Sequence, residues 1–109
     1  MTNVQPYLQK IVDRFNNPGI QSGMQGFTRL LLFRFTDSRE DWLIRVVDGK
    51  DAALEKDTSS NPDVSITTTT EVLSGVMDRK INGITAYLTH KIQIKGSMDD
   101  LMKIQKVMF

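Results

Sequence analysis

The side chains that could do chemistry in this 109-residue chain are few and scattered. His90 is the only histidine and cysteine is absent, which excludes a one-chain imidazole metal site, a thiolate nucleophile and any disulfide. His90 has only Thr89 beside it as a hydroxyl. It reads as a half-exposed residue at a helix-to-strand junction before it reads as a general acid or base. Asp99-Asp100 could be imagined as paired carboxylates. Adjacent helical residues project about 100° apart, however, and two acids in a first turn suit the positive end of the helix dipole. Gly19, Gly23 and Gly26 lack the spacing, and the following Lys-Ser/Thr, of a phosphate loop. Arg29, Arg34 and Arg45 fall on strands, as solvated faces or ion pairs before anion ligands. No catalytic residue, metal or cofactor is therefore expected, and the chain does not read as an enzyme.

Composition agrees. A hydrophobic fraction of 39% and a charged fraction of 25% are ordinary for a globular chain, and 109 residues suit one domain, 1–109, with one core. Net charge is +1, from 14 basic and 13 acidic residues spread along the chain. No basic stripe is visible, so nucleic acid is not expected as a partner. The longest apolar run, Leu30-Leu31-Leu32-Phe33, falls far short of the ~18 residues that span a bilayer. There is no basic-then-apolar secretion signal, and Val107-Met108-Phe109 is not a peroxisomal address. The expectation is a cytoplasmic protein with at most transient membrane contact.

The elements that would position any site follow from periodicity. Val4, Tyr7, Leu8, Ile11, Val12 and Phe15 share one face of a helix, with Thr2 and Gln5 as a capping box and Pro6 in the first turn. Asn16-Asn17-Pro18-Gly19 ends it. From Phe27 to Thr36 the period becomes two, with Leu31, Phe33 and Phe35 on one side; Leu30 and Leu32 keep the other side from being fully wet. A second strand, Trp42–Val47, turns at Asp48-Gly49 into a third, Ala52–Lys56. After the loop "KDTSSNPD" come a strand at Val64–Thr67 and a helix opened by a Thr68/Glu71 capping box, carrying Val72, Leu73, Val76 and Met77. The helix "INGITAYL", the strand "KIQIK" and a last helix capped by Ser97 complete the chain. This order predicts an α+β fold with one five-stranded, mainly antiparallel sheet and helices packed on one face. The two helices before the last strand are long enough for a crossover.

The last helix is the most informative element. On a helical wheel Met98, Leu101, Met102, Ile104, Val107, Met108 and Phe109 span roughly 220°, against the roughly 100° stripe a helix lying on a sheet needs. Either its own domain buries it on two sides, or one side packs on the sheet and the other meets a ligand cavity, a membrane or another subunit. Methionine adapts well to irregular apolar partners.

The segment "DVSITTTTEVLSGVMDRKINGITAYLTHKIQIKGSMDDLMKIQ" resembles the C-terminal half of the sterol carrier protein 2 (SCP-2) family. Val64-Ile66, Thr68-Glu71, Ala86-Tyr87, Lys91-Ile92-Gln93-Ile94-Lys95-Gly96 and Leu101-Met102-Lys103 take the places of the family's strand, capped helix, Ala-aromatic helix, last strand and Met/Leu-rich helix. Upstream, "LLFRFTDSREDWLIRVVDGKDAALEK" is similar to the family's hairpin and Trp-led strand. The resemblance covers nearly the whole chain and is weakest in the first helix and at Ile20–Gly26. Three positions depart from the pattern. Arg79 and His90 stand where Gly is common, and Gly83 where Pro is common; all three lie at helix ends.

The resemblance implies an apolar tunnel between sheet and helices that takes sterols, fatty acyl chains or acyl-CoA, in a non-enzymatic carrier or an accessory domain. Periodicity marks Phe33, Phe35, Trp42, Ile44, Val72, Val76, Met77, Ile84, Tyr87, Leu88, Leu101, Met102 and Met108 as lining candidates, each of which could equally be plain core. On this reading the Val107-Met108-Phe109 end is a candidate lid. The competing expectation is an interaction module whose last helix makes a homodimer or docks a partner enzyme, with no tunnel ligand.

Overall fold

A computed structural model describes residues 3–21 and 23–108. In chain order the elements are α1 (Gln5–Phe15), α2 (Pro18–Gln21), β1 (Arg29–Phe35), β2 (Glu40–Val47), β3 (Asp51–Glu55), β4 (Val64–Thr68), α3 (Thr70–Met77), α4 (Gly83–Leu88), β5 (Gln93–Lys95) and α5 (Met98–Met108). They form the α+β architecture that the periodicity predicts.

The five strands make one sheet in the order β3-β2-β1-β4-β5. All neighbours are antiparallel except β1 and β4, which run parallel with Phe33 opposite Ile66. The parallel pair needs a crossover, and the loop 56–63 supplies it, whereas α3 and α4 connect adjacent antiparallel strands. Thr58 Oγ1 donates to Asp41 at one end of the β1–β2 hairpin, and Asp63 N donates to the Leu30 carbonyl at the other. The loop thus runs across the outer face of the sheet. That path accounts for the cross-strand pair Leu32 and Leu43, which is buried on the outer face, apart from the main core.

The opposite face carries Leu31, Phe33 and Phe35 from β1, Ile44 and Val46 from β2 and Ile66 from β4, packed in one cluster with Leu8, Ile11 and Phe15 of α1, Leu73 of α3 and Ile104 of α5. Alternation along the strands sends these side chains inward, where their burial supplies most of the driving force for folding. Val47 and Asp51 close the β2–β3 hairpin around Asp48 (φ 54) and Gly49 (φ 67), the positive-φ pair that a type I′ turn requires. A Cβ on Gly49 would run into the Met24 carbonyl, so this glycine answers to space as well as to dihedral angle. Asn16 finishes the free edge of β3: its side chain accepts from Ala52 N (3.1 Å) and donates to Ala52 O (3.4 Å), as a neighbouring strand would.

Four local details refine the sequence reading. The expected Thr2/Gln5 capping box involves Thr2, which lies outside the described residues; among those described, Asn3 Oδ1 accepts from Gln5 N at 3.1 Å in the first turn of α1. The α3 cap is Thr69, not Thr68, because Thr68 completes β4 and gives its hydroxyl to the Lys91 carbonyl. Pro18 opens an extra one-turn helix, α2, where only a loop is expected. Finally, Arg79 (φ 61) and His90 (φ 63) both adopt left-handed backbone. These are the two places where the family pattern favours Gly, so the turns keep their geometry and an L-residue carries the strain.

Candidate functional site

Two cations pin α5 at its two ends. At the start, Ser97 Oγ accepts from Asp100 N, and the buried Asp100 carboxylate accepts from Arg29 Nε on β1 at 2.9 Å. That hydrogen bond, reinforced by the charge of Asp100, raises the pKa of Arg29 further. At the far end Arg14 of α1 donates to the Val107 carbonyl at 2.7 Å, satisfying an orphan acceptor of the last turn. Gly96 permits the tight passage from β5 into α5: a Cβ there would press on Val64 Cγ2 at 3.1 Å.

Held in this way, α5 divides its wide apolar arc between two environments. Ile104, Val107 and Met108 turn into the core with 1%, 1% and 3% exposure. Met98, Leu101, Met102 and Gln105 form the i, i+3, i+4, i+7 stripe on the other side and line an open groove. Its remaining walls are Ile84 and Tyr87 of α4 and Ile94 of β5, and its volume is about 120 Å³. Met98 and Met102 are 70% and 58% exposed. The short wall α4 starts on Asn82, whose side chain accepts from Thr85 N, and only Ala86 in it is buried.

The candidates from the sequence fall into five places. Ile84, Tyr87, Leu101 and Met102 line the groove. Leu88 lies next to it and is largely exposed. Phe33, Phe35, Trp42 and Ile44 sit in the core on the inner sheet face. Val76, Met77 and Met108 are core residues that also edge a second cleft of about 280 Å³, shared with Arg14, Arg79 and Lys106. Val72 faces a shallow depression beside Thr36, Thr68 and His90. Ile94, Met98 and Gln105 complete the groove and are absent from the sequence candidates; the Met98-Leu101-Met102-Gln105 spacing was the signal that could have found the two on α5. The Val107-Met108 end is tucked into the core rather than over the groove, and Phe109 lies outside the described residues.

Chemically the groove can bury an apolar chain and little else. Among the described residues Tyr87 and Gln105 are its only polar side chains, and no paired titratable groups converge on it. Among the described residues no cluster of three His, Asp or Glu could hold a metal ion, and no helix is long and apolar enough to cross a membrane. Arg29, Arg34 and Arg45 pair with Asp100, Asp41 and Glu55. Asp100 therefore does more than suit the dipole: it fastens α5 to β1.

Comparison with solved structures finds the same fold at low identity. A double mutant of the sec-alkyl sulfatase PisA1 from Pseudomonas sp. superposes with a TM-score of 0.78 at 16% identity, over 98% of this chain. This chain spans only 16% of that enzyme's length. Palmitated SCP2L2 from Aedes aegypti matches with a TM-score of 0.72 at 19% identity, covering 98% of this chain and 95% of that one. The sterol carrier protein domain 2 of Helicoverpa armigera gives 0.72 at 20% identity, with 96% and 84% covered. Curated proteins give no match. A family model described as the SCP-2 sterol transfer family matches residues 8–109, nearly the whole chain and every element of the sheet and its helical layer. The chain belongs to the SCP-2 sterol transfer family.

Proposed function

We propose that this chain is a non-enzymatic, cytoplasmic lipid carrier that takes the apolar part of a fatty acid, fatty acyl-CoA or sterol between α4, β5 and α5. The observation that carries the reading is the outer stripe of α5, whose Met98 and Met102 stand open to solvent opposite Ile84 and Tyr87 while both ends of the helix are fastened. A helix held so firmly does not hide this surface by itself. Burying it under a lipid chain is worth about 25 cal/mol per Å² before ordering costs.

The groove of about 120 Å³ is smaller than the roughly 300–1,000 Å³ of small-molecule sites, so a lipid must widen it. Ile84 also borders a cleft with Val76, and Val76 borders another with Met77 and Met108, so widening past Ile84 would extend the groove toward those sequence candidates. Selectivity would be broad, because one methylene more or less changes affinity by only about 0.8 kcal/mol. The Aedes aegypti structure carries palmitate in the same fold, which supports an acyl chain as the first ligand to try.

The test is displacement of a fluorescent fatty acid by palmitate, with native mass spectrometry for lipid carried from cells. Met102→Asp should abolish binding in a folded protein. Undiminished binding in Met102→Asp would move the ligand elsewhere, and no binding by the parent chain would end the reading. A second reading is an accessory or dimerisation module, favoured by the same fold forming 16% of the sulfatase chain. A dimer in sedimentation that Met102→Asp dissociates, with no lipid bound, would establish it.

A further inference from the structure

Among the described residues, the six large apolar side chains left most exposed are Val47, Ile84, Tyr87, Leu88, Met98 and Met102, and all but Val47 lie on α4 and α5. Leu88 (68% exposed) stands outside the groove, so the groove alone does not account for it. The charge of this part of the chain is also unlike the rest. Residues 79–108 carry Arg79, Lys80, Lys91, Lys95, Lys103 and Lys106 against only Asp99 and Asp100, a net charge of +4 in a chain whose total is +1. Asp100 is buried and already spent on Arg29.

Three of these cations lie beside the apolar patch. Arg79 shares a shallow cleft with Ile81 and Ile84. Lys91 N donates to the Ala86 carbonyl, which sets its backbone against the end of α4 beside Leu88, where it also borders the depression at Val72. Lys106 is about 40° round α5 from Met102. Lys103 is turned away, its ammonium lying over the Phe27 ring, and Lys95 belongs to the strand position whose alternation opposes Ile94. None of Arg79, Lys91 and Lys106 is in an ion pair with a described carboxylate.

We propose that the α4–α5 face docks on an anionic lipid bilayer, with Leu88, Met98 and Met102 entering the headgroup region and Arg79, Lys91 and Lys106 meeting lipid phosphates and carboxylates. Apolar residues ringed by cations are the pattern of interfacial attachment, in which apolar burial and attraction to anionic lipid act together. Charge also weighs against the obvious rival. A second copy would bring two like-charged surfaces together around the same patch, which opposes a symmetric dimer. The groove opens within this face, so a chain could pass from bilayer to groove without crossing water; in that respect the inference rests on the carrier reading.

The experiment is flotation of the whole chain with phosphatidylcholine vesicles, with and without phosphatidylserine. Binding is expected only with phosphatidylserine and should weaken as salt rises. Arg79→Gln and Lys106→Gln should each lower affinity about five-fold, the equivalent of about 1 kcal/mol per charge. Leu88→Asp should lower it about ten-fold or more. Leu88 and Lys106 are off the groove, so fatty-acid binding measured without vesicles should be unchanged in these variants, and that assay judges the carrier reading separately. Equal binding to neutral vesicles, or undiminished binding by Leu88→Asp, would overturn the docking proposal. So would no binding to either vesicle, the result an acidic protein partner would give.

Discussion

The two faces of α5 make a paired prediction in which one helix separates folding from binding. Met108 is 3% exposed and packed in the core, so Met108→Ala removes a buried side chain and leaves a cavity, at a cost of about 2–5 kcal/mol. Against a typical domain stability of about 5–15 kcal/mol that is a large fraction. With a urea m-value of about 1–3 kcal/mol per molar, the midpoint should fall by roughly 1–2 M. Met102 is 58% exposed, and Met102→Ala should change stability by no more than about 0.5 kcal/mol. A lipid in the groove would cover about half of the lost methylene-sized groups, worth about 1 kcal/mol, or about five-fold in affinity. Trp42, the only tryptophan and 7% exposed, reports unfolding by its fluorescence, and palmitate displacement reports binding. Weakened palmitate binding with unchanged stability in Met108→Ala would refute the division. So would Met102→Ala losing more than about 2 kcal/mol of stability.

Arg79→Gly and His90→Gly should each raise stability by about 0.5–1 kcal/mol in thermal melts, because Gly relieves the left-handed strain and returns part of that gain as unfolded-chain entropy. Arg29→Met should destabilise by about 2–3 kcal/mol in urea, since it leaves the Asp100 carboxylate buried with its cation gone, and the partial exposure of Arg29 keeps the cost below that of a fully buried pair. Asp37 titrates below its usual range. Burial pushes its pKa up, but bonds from the Thr70 hydroxyl and N–H and from the Asp37 and Ser38 backbones outweigh it. A lowered folded pKa contributes stability that is present above the ordinary carboxylate value of 3.8 and is lost as pH falls through the folded one. Thr70→Val should therefore cost about 1 kcal/mol near neutral pH, the carboxylate being exposed, and the parent and variant unfolding curves should converge in acid.

What was legible in the chain was whatever rests on local period. Leu31, Phe33 and Phe35 alternate, and that was enough to place them on the helix-covered face. The parallel pairing of β1 with β4 was not legible, because it depends on where a polar loop travels, and Asp63 bonding to Leu30 leaves no mark in periodicity. The width of the α5 arc could be read from a wheel, but its division could not. Arg14 decides which side turns inward, and it stands 93 residues before the carbonyl it holds. Asp100 was explained by the helix dipole and proved to be a tether. Counting charges over the whole chain hid the cationic last third, because an acidic excess in the first 78 residues cancels it.

These tethers also decide which wall of the groove must yield. Releasing α5 would break the Arg29–Asp100 pair, free the Val107 carbonyl from Arg14 and expose Ile104, Val107 and Met108, several kcal/mol in all. Moving α4 uncovers one buried residue, Ala86, and the carbonyl bonds that Lys91 N and Ile92 N make to it. On the carrier reading, opening therefore belongs to α4, which would swing on the left-handed turn at His90 and on the Lys80-Ile81 turn that returns to the Gly75 carbonyl. Amide exchange should then be fastest in Gly83–Leu88 without lipid and should slow there, more than in α5, when palmitate binds. Equal protection changes in the two helices would mean that the walls separate together and that the tethers on α5 are weaker than their geometry implies.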